Sequence, residues 1–527
     1  MIDNNCCAGR RERVDSNFSR RILNVLGGIA LLTLTGCALV GPDYRRPEVK
    51  MAPEWLNAKN AGMTDSVDPH KQWWQSFDDP VLDQLIMQAF DQNLDLQIAG
   101  LRILEARAQL GISTGNLYPQ QQSLGAQVAA VGVSEHSANT AGGDLIYGNS
   151  SVGFDAAWEL DFWGKFRRGV QAADAGLLAT IADYDSFLIT LTAEVARSYI
   201  LIRTLEERIR VSEANVAIQQ RSADITQTRF DSGLVTELDV QQARNLLANT
   251  QAIIPTFKAS LRQAKNSLAV LLAISPQQID QLVPQAGTIP QTPTSIAVGI
   301  PAELLRRRPD IRQAELRAMA QSALVGVSKA DLFPHFSLIG QIGLVASDSP
   351  LTRQGGSDFG DLVSRDSVNY FAGPSIKWDV LNYGRIRNQV RVQDARLQQL
   401  LVNYQNTVLR AAQDVEDALT GLVNDRERLL YLHQAVGAAQ RSVDIALLQY
   451  REGLVDFQRV LDTQRGLSEA QDRFTATRGS LALNMVGVYK SLGGGWQLRE
   501  GKPVISPAAQ EQMKQRTDWG GMLSEPI

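Results

Sequence analysis

From Val152 the chain alternates. Val152, Phe154, Ala156, Trp158, Leu160 and Phe162 are apolar, and Ser151, Gly153, Asp155, Ala157, Glu159 and Asp161 fall between them. A period of two sends the first set to one face of a β-strand and the second to the other. The rhythm returns at Tyr370, Ala372, Ile376, Trp378 and Val380, set against Asn369, Ser375, Lys377 and Asp379. Weaker alternation precedes each stretch. The pattern predicts strands at about 121–133, 150–162, 335–346 and 368–380, paired as two hairpins with tips in the Gly-rich stretches 141–149 and 354–366.

After each second strand the period becomes helical. Residues 164–231 contain no proline, little glycine after Gly176, and mostly Leu, Ala, Arg, Glu and Gln. They predict one very long helix, about 100 Å at 1.5 Å per residue. Residues 384–451 have the same character. A Gly-Leu-Val turn follows each long helix, and a returning helix then covers about 237–273 or 457–492. Another helix precedes each strand pair, about 80–116 and 309–331, ending near Tyr118-Pro119 or Phe333-Pro334, where proline disfavours continuation. Segments 38–74, 275–301 and 493–527, rich in Pro, Gly, Gln, Ser and Thr, read as irregular structure belting the helices.

The two halves are copies. A shift of 220 positions carries Trp158 onto Trp378, Gly164 onto Gly384, Asp174-Ala175 onto Asp394-Ala395, Glu207-Arg208 onto Glu427-Arg428, and Gly233-Leu234-Val235 onto Gly453-Leu454-Val455. Upstream a shift of 215 pairs Asp95 with Asp310, Gly111 with Gly326, and Leu117-Tyr118-Pro119 with Leu332-Phe333-Pro334. The second copy therefore holds five extra residues between 335 and 377. Tandem units of this kind suggest a wall built by repetition around an axis. Four strands cannot close a membrane barrel, which needs about eight, so strands that span a membrane here require further copies of the chain. A soluble four-stranded sheet packed on helices is the other reading that alternation allows.

The N-terminus adds an address. Arg10, Arg11, Arg13, Arg20 and Arg21 precede an apolar run at 22–35, which ends in Leu34-Thr35-Gly36-Cys37. This is a lipobox. Cleavage before Cys37 leaves a diacylglycerol-modified N-terminus held in a membrane. Ala38, in place of a retaining aspartate, favours the outer membrane. An ordinary signal peptide is the alternative; the run is shorter than the roughly 20 residues of a spanning helix. Cys6 and Cys7 fall in the removed segment and Cys37 is blocked, so no disulfide is expected. Removing 1–36 leaves 47 basic against 53 acidic residues from the original 52 and 56, a net charge of −6. No basic stripe marks a nucleic-acid partner.

These residues resemble the TolC-like outer-membrane efflux channels, in the NodT-type lipoprotein subfamily that pairs with resistance-nodulation-division pumps. After the lipobox, Gly41-Pro42-Asp43-Tyr44-Arg45-Arg46-Pro47 is similar to that subfamily's start, and Trp73-Trp74 with Phe77, Asp79-Pro80, Leu82 and Leu85-Ile86 to its next signature. Trp158-Glu159-Leu160-Asp161-Phe162-Trp163-Gly164-Lys165 resembles the passage from barrel to long helix, and the stretch from Tyr489 to Gly493-Gly494-Gly495-Trp496 the closing motif. The likeness covers nearly the whole mature chain. It implies a mainly α fold with a small β part, internally duplicated. It also implies a homotrimer forming a 12-stranded outer-membrane β-barrel continuous with a periplasmic α-barrel. The implied partners are a periplasmic adaptor (membrane fusion) protein, an inner-membrane pump and outer-membrane lipid, and the implied role is passive, gated efflux of drugs or toxic compounds. The resulting organisation is 1–36 signal peptide; 37–90 anchor and equatorial segment; 91–275 first repeat with tip 231–237; 276–308 linker; 309–492 second repeat with tip 451–457; and 493–527 equatorial tail.

The resemblance also implies roles for single residues. Asp462 matches a position where three aspartates ring and narrow the periplasmic entrance, attracting cations. Where some members carry a second ring this chain has Arg459, which leaves an Arg459 to Asp462 pair one turn apart as an alternative. Asp239, equivalent to Arg459 in the first copy, matches an acidic latch, and an Asp239 to Arg459 contact between neighbouring coils is expected. The turns Gly233-Leu234-Val235 and Gly453-Leu454-Val455 match the sites that receive the adaptor's hairpin tips. Read without the family, Asp462 is a solvated helix aspartate and each turn is a glycine C-cap. His70, His136, His335 and His433 show no metal-ligand or triad spacing, so no metal, cofactor or catalytic site is nominated. A lipid-anchored periplasmic scaffold or adaptor is the runner-up function. Such proteins lack two strand hairpins with Trp-bearing oily faces at equivalent points of a duplication.

Overall fold

The computed structural model describes residues 39–49, 52, 54–56, 63–64, 71–136, 145–284, 287–293, 296–297, 307–348 and 359–523. The signal segment, Cys37 and parts of both expected strand tips, 141–144 and 354–358, lie outside them. The described chain divides into two compact units, one drawn from 39–43, 111–172 and 321–395, the other from 44–110, 173–320 and 396–523.

The first unit is built on a four-stranded antiparallel sheet: β1 (Gln121–Gly132), β2 (Ile146–Glu159), β3 (His335–Ser347) and β4 (Val368–Lys377), in that order. Its register aligns the oily positions. Leu124, Phe154, Ile342 and Tyr370 form one row across all four strands, and Ala126, Val152, Leu344 and Val368 the next. The opposite face carries rows such as Ser123, Asp155, Gln341 and Phe371, and Gly125, Gly153, Gly343 and Asn369. The oily face is uncovered within the chain: Leu124 is 79% exposed and Tyr370 76%.

Two strand ends differ from the alternation. Apolar residues continue to Phe162 and Val380, yet β2 stops at Glu159 and β4 at Lys377, because the backbone turns there. Phe162 N–H donates to the Leu160 carbonyl at 2.8 Å and Val380 N–H to the Trp378 carbonyl at 3.0 Å. Gly164 then adopts φ +75°, and a Cβ there would lie 2.6 Å from Leu39. Asp161 caps the helix that follows, accepting from Phe166 N–H (2.9 Å) and Arg167 N–H (3.0 Å). The equivalent tryptophans make equivalent bonds: Trp158 donates to Leu117 O and Trp378 to Leu332 O, both at 3.2 Å.

In the second unit the expected helix over 80–116 is two helices, α1 (Pro80–Gln92) and α2 (Leu94–Gly115). Asn93 breaks it. Its side chain accepts from Leu96 N–H at 2.8 Å and donates to Leu271 O at 2.9 Å, so it caps one helix while tethering to another. The long helices are α3 (Lys165–Asp231), α4 (Glu237–Leu271), α7 (Arg385–Arg451) and α8 (Phe457–Ser491), of 67, 35, 67 and 35 residues. Between them in the chain stand α5 (Ile279–Leu282) and α6 (Pro309–Ala330). Among the described residues no helix is long and apolar enough to cross a membrane.

The core of this unit gathers Trp74, Phe77, Ile86, Tyr184, Leu188, Tyr199 and Ile200 around the middle of α3. Asp185 and Arg499 form a buried ion pair there. Burial pushes the Tyr199 phenol up to about 12. Its hydroxyl donates to Asp79 Oδ2 at 2.8 Å, while Asp79 Oδ1 caps α1 through Val81 and Leu82 N–H. The tail, expected to be irregular, holds a helix, α9 (Pro507–Arg516), started by Ser506, which accepts from Ala509 N–H at 3.2 Å, and by Pro507 at its first position. Segment 275–301 likewise contains α5 and half of a two-residue parallel pair, Met63–Thr64 with Ile296–Ala297.

Candidate functional site

The two predicted tips share one geometry. Gly233 (φ +73°) and Gly453 (φ +75°) take the left-handed conformation that a side chain disfavours. Leu234 N–H reaches back to Arg229 O and Leu454 N–H to Gln449 O, each at 2.9 Å. This wraps the last turn and satisfies carbonyls that a helix end leaves open. The apolar pair after each glycine splits. Leu234 and Leu454 are 68% and 73% exposed. Val235 and Val455 turn in on a cluster of Tyr450, Phe457, Val460 and Leu461. Each turn thus leaves its leucine exposed and packs its valine locally.

Arg229, which the sequence did not single out, ties the two tips. It donates to the Tyr450 carbonyl and its guanidinium lies 4.7 Å from the Tyr450 ring centre. The only sequence signal was a basic residue in the last turn of a helix.

The returning helices begin differently. At α4, Thr236 and Asp239 form a capping box, with Asp239 Oδ2 accepting from Thr236 N–H (3.0 Å) and Thr236 Oγ1 (2.9 Å). At α8 the cap is Asp456, which accepts from Arg459 N–H at 3.2 Å. Arg459 and Asp462 are both exposed. The alternative Arg459 to Asp462 pair is corrected: Asp462 meets Gln458 Nε2 at 3.0 Å and Arg465 at 3.7 Å. Among the described residues no ion pair joins Asp239 to Arg459 within one chain.

A second feature went unread. Between α3 and α8 the packed seam is polar: Arg208 holds Asp472 through two bonds of 2.8 and 2.9 Å, Asn215 donates to Gln471 at 2.8 Å, and Gln464 donates to Ser222 Oγ at 2.6 Å. Asn215, Gln219, Ser222 and Thr226 recur at steps of four, three and four, the spacing of a coiled-coil core, and all are buried. That spacing was visible in the sequence, but apolar residues are what the pattern normally seeks.

A profile described as outer membrane efflux protein matches residues 85–273 and 300–494. The chain belongs to that family. It is 32% identical to the pyoverdine export outer membrane protein OpmQ of Pseudomonas putida, over 81% of this chain and 89% of that one. It is 29% identical to nodulation protein T of Rhizobium leguminosarum, over 88% and 92%. Among solved structures it is similar to the outer-membrane channel OprN, with a TM-score of 0.80 and 33% identity over 87% of this chain and 100% of that one. The channel is therefore TolC-like and of the NodT type, an outer-membrane efflux channel that extends into the periplasm, and the relatives it matches are export proteins rather than enzymes.

Proposed function

We propose that three copies of this chain close a single 12-stranded barrel in the outer membrane, continuous with an α-barrel of paired long helices in the periplasm, and that this duct passively conducts drugs or toxic compounds outward. One observation carries the reading: a four-stranded sheet whose oily face is aligned in register, left bare, and bounded by two edge strands, β1 and β4. Bare oily faces and open edges are liabilities that closure in lipid removes. Cys37 carries the acyl anchor. The exposed Leu234 and Leu454 receive a periplasmic adaptor, which couples the duct to an inner-membrane resistance-nodulation-division pump. Asp462 from three copies rings the entrance. Asp239 latches to Arg459 of a neighbouring copy; among the described residues no ion pair within one chain involves either side chain.

The test is placement of a lysine. Ile342→Lys sits in the oily row and should cost about 2–4 kcal/mol near the bilayer midplane. The variant is expected to vanish from heat-modifiable trimers in the outer-membrane fraction, while Gln341→Lys, one residue along on the other face, remains. Equal recovery of both would reject the barrel and return the chain to the scaffold reading.

A further inference from the structure

We propose that each chain joins the next by repeating a joint it already contains. β4 of one chain takes, against β1 of its neighbour, the register that β2 holds against β3, and Tyr383 stacks on the neighbour's Tyr118. The inference rests on the barrel reading for the presence of a neighbour and goes beyond it in fixing where that neighbour sits.

The two hairpins give the correspondence between strands. Gln121 pairs with Ala157 in the first repeat, and His335 with Lys377 in the second. The shift of 220 positions carries Ala157 onto Lys377, so Gln121 answers to His335. Like residues then coincide: Leu124 with Leu338, Gln127 with Gln341, and Val128 with Ile342. Between the hairpins, Trp158 stands opposite Leu338 and Asp155 opposite Gln341. Carrying each residue to its counterpart puts Trp378 of one chain opposite Leu124 of the next, and Ser375 opposite Gln127. Oily positions meet oily ones, Ile376 with Ala126 and Pro374 with Val128. A slip of one residue would send one of the two oily sets to the wrong face.

Two features of the lone chain point to the missing strand. Inside the chain, Leu160 N–H crosses the sheet to the Phe336 carbonyl at 2.8 Å. Its counterpart, Val380 N–H, lies beyond an edge strand and closes on the Trp378 carbonyl at 3.0 Å, so the backbone turns two residues sooner after β4 than after β2. The counterpart of Phe336 is Gln122, on the other edge strand, β1. Its carbonyl in the next chain is the acceptor that Val380 N–H lacks. The second feature is aromatic. Trp163 stacks on Phe333 with ring centres 4.6 Å apart. Their counterparts are Tyr383, fully exposed, and Tyr118, 65% exposed. These two belong to opposite edges of the sheet, so another chain must bring them together, and the stack adds to the burial that pairing brings.

The experiment reads the register with paired cysteines in the full-length chain. Opposed pairs in an antiparallel ladder alternate between hydrogen-bonded and not. Leu160 with Phe336 is a bonded pair, which makes Asp155 with Gln341 an unbonded one. Ser375 and Gln127 inherit that geometry, with Cα atoms about 4.5 Å apart and within reach of a disulfide. Ser375→Cys with Gln127→Cys should therefore give covalent trimers after mild oxidation of outer membranes, seen on denaturing gels without reductant. Gly125→Cys or Ala129→Cys in place of Gln127→Cys lies on the same face about 7–8 Å away, and the covalent trimers should be lost. Tyr383→Ala and Tyr118→Ala should each lower the temperature at which trimers come apart, and the double variant should lower it no further. Losses that simply add would overturn the stack. Cross-linking that prefers position 125 or 129, or none at 127 in trimers that still conduct in bilayers, would overturn the joint and keep the channel. A wild type that neither trimerises nor conducts would overturn both.

Discussion

Asp280 sits where two cations from α4 converge, with Lys265 Nζ and Arg262 Nη1 each 3.0 Å from one of its oxygens. The hydrogen bond from Lys265, reinforced by Arg262, holds its carboxyl below the ordinary range. A lowered folded pKa means that the pair stabilises above the unfolded value of about 3.9 and that this support is lost as pH falls through the folded value. Asp280→Asn should therefore lower stability at pH 7, and Tm with it, by a modest amount of about 1 kcal/mol because Asp280 is partly exposed. The gap to wild type should narrow as pH falls below the unfolded value and on through the lowered folded one. Thermal unfolding at pH 7 and in acid checks this, and a gap that persists in acid would assign the loss to packing instead. Single side chains were the least legible level of the sequence. Asp462 could be placed on its helix, but Arg459 and Arg465 both stand three residues from it. The choice fell to Arg465; Arg459 instead begins the helix beside the Asp456 cap.

Elements were easier to read where one physical rule ruled alone. The proline-free stretches gave α3 and α7 to within a residue, and the Gly-Leu-Val turns marked where they end. The rule failed where a tertiary contact decided. Asn93 stops a helix because the Leu271 carbonyl, far along the chain, accepts its amide, and Phe162 and Val380 leave the sheet because of turns that alternation does not register. The tip turns carry the prediction at this scale. Leu234→Asp with Leu454→Asp alters the exposed leucines and leaves Val235 and Val455 in their cluster, so the fold and conductance should be kept. Adaptor-dependent efflux should fall, seen as increased susceptibility of cells to a pumped compound. Unchanged susceptibility with normal trimer levels would show that the turns are helix caps and nothing more.

For the whole molecule, alternation and the count of strands reached the conclusion that one chain is too small a piece of a barrel, and the lipobox supplied an address. The number three came only from the family likeness, since no feature of a lone sheet states how many copies close it. The polar seam between α3 and α8 had its spacing in the sequence, at Asn215, Gln219, Ser222 and Thr226, but polar residues at core positions are not what such a pattern seeks. Asn215 with Gln471 and Gln464 with Ser222 are paired there, and paired polar groups in a seam favour one register over others more than they add stability. The central claim is a gated duct, and single-channel conductance of the purified protein in a planar bilayer tests it most directly, with wild type and Asp462→Ala compared in the same salt. The account predicts a low wild-type conductance with cation preference, and a higher conductance with weaker preference once the carboxylates are gone. Silence from both proteins after verified insertion would contradict it.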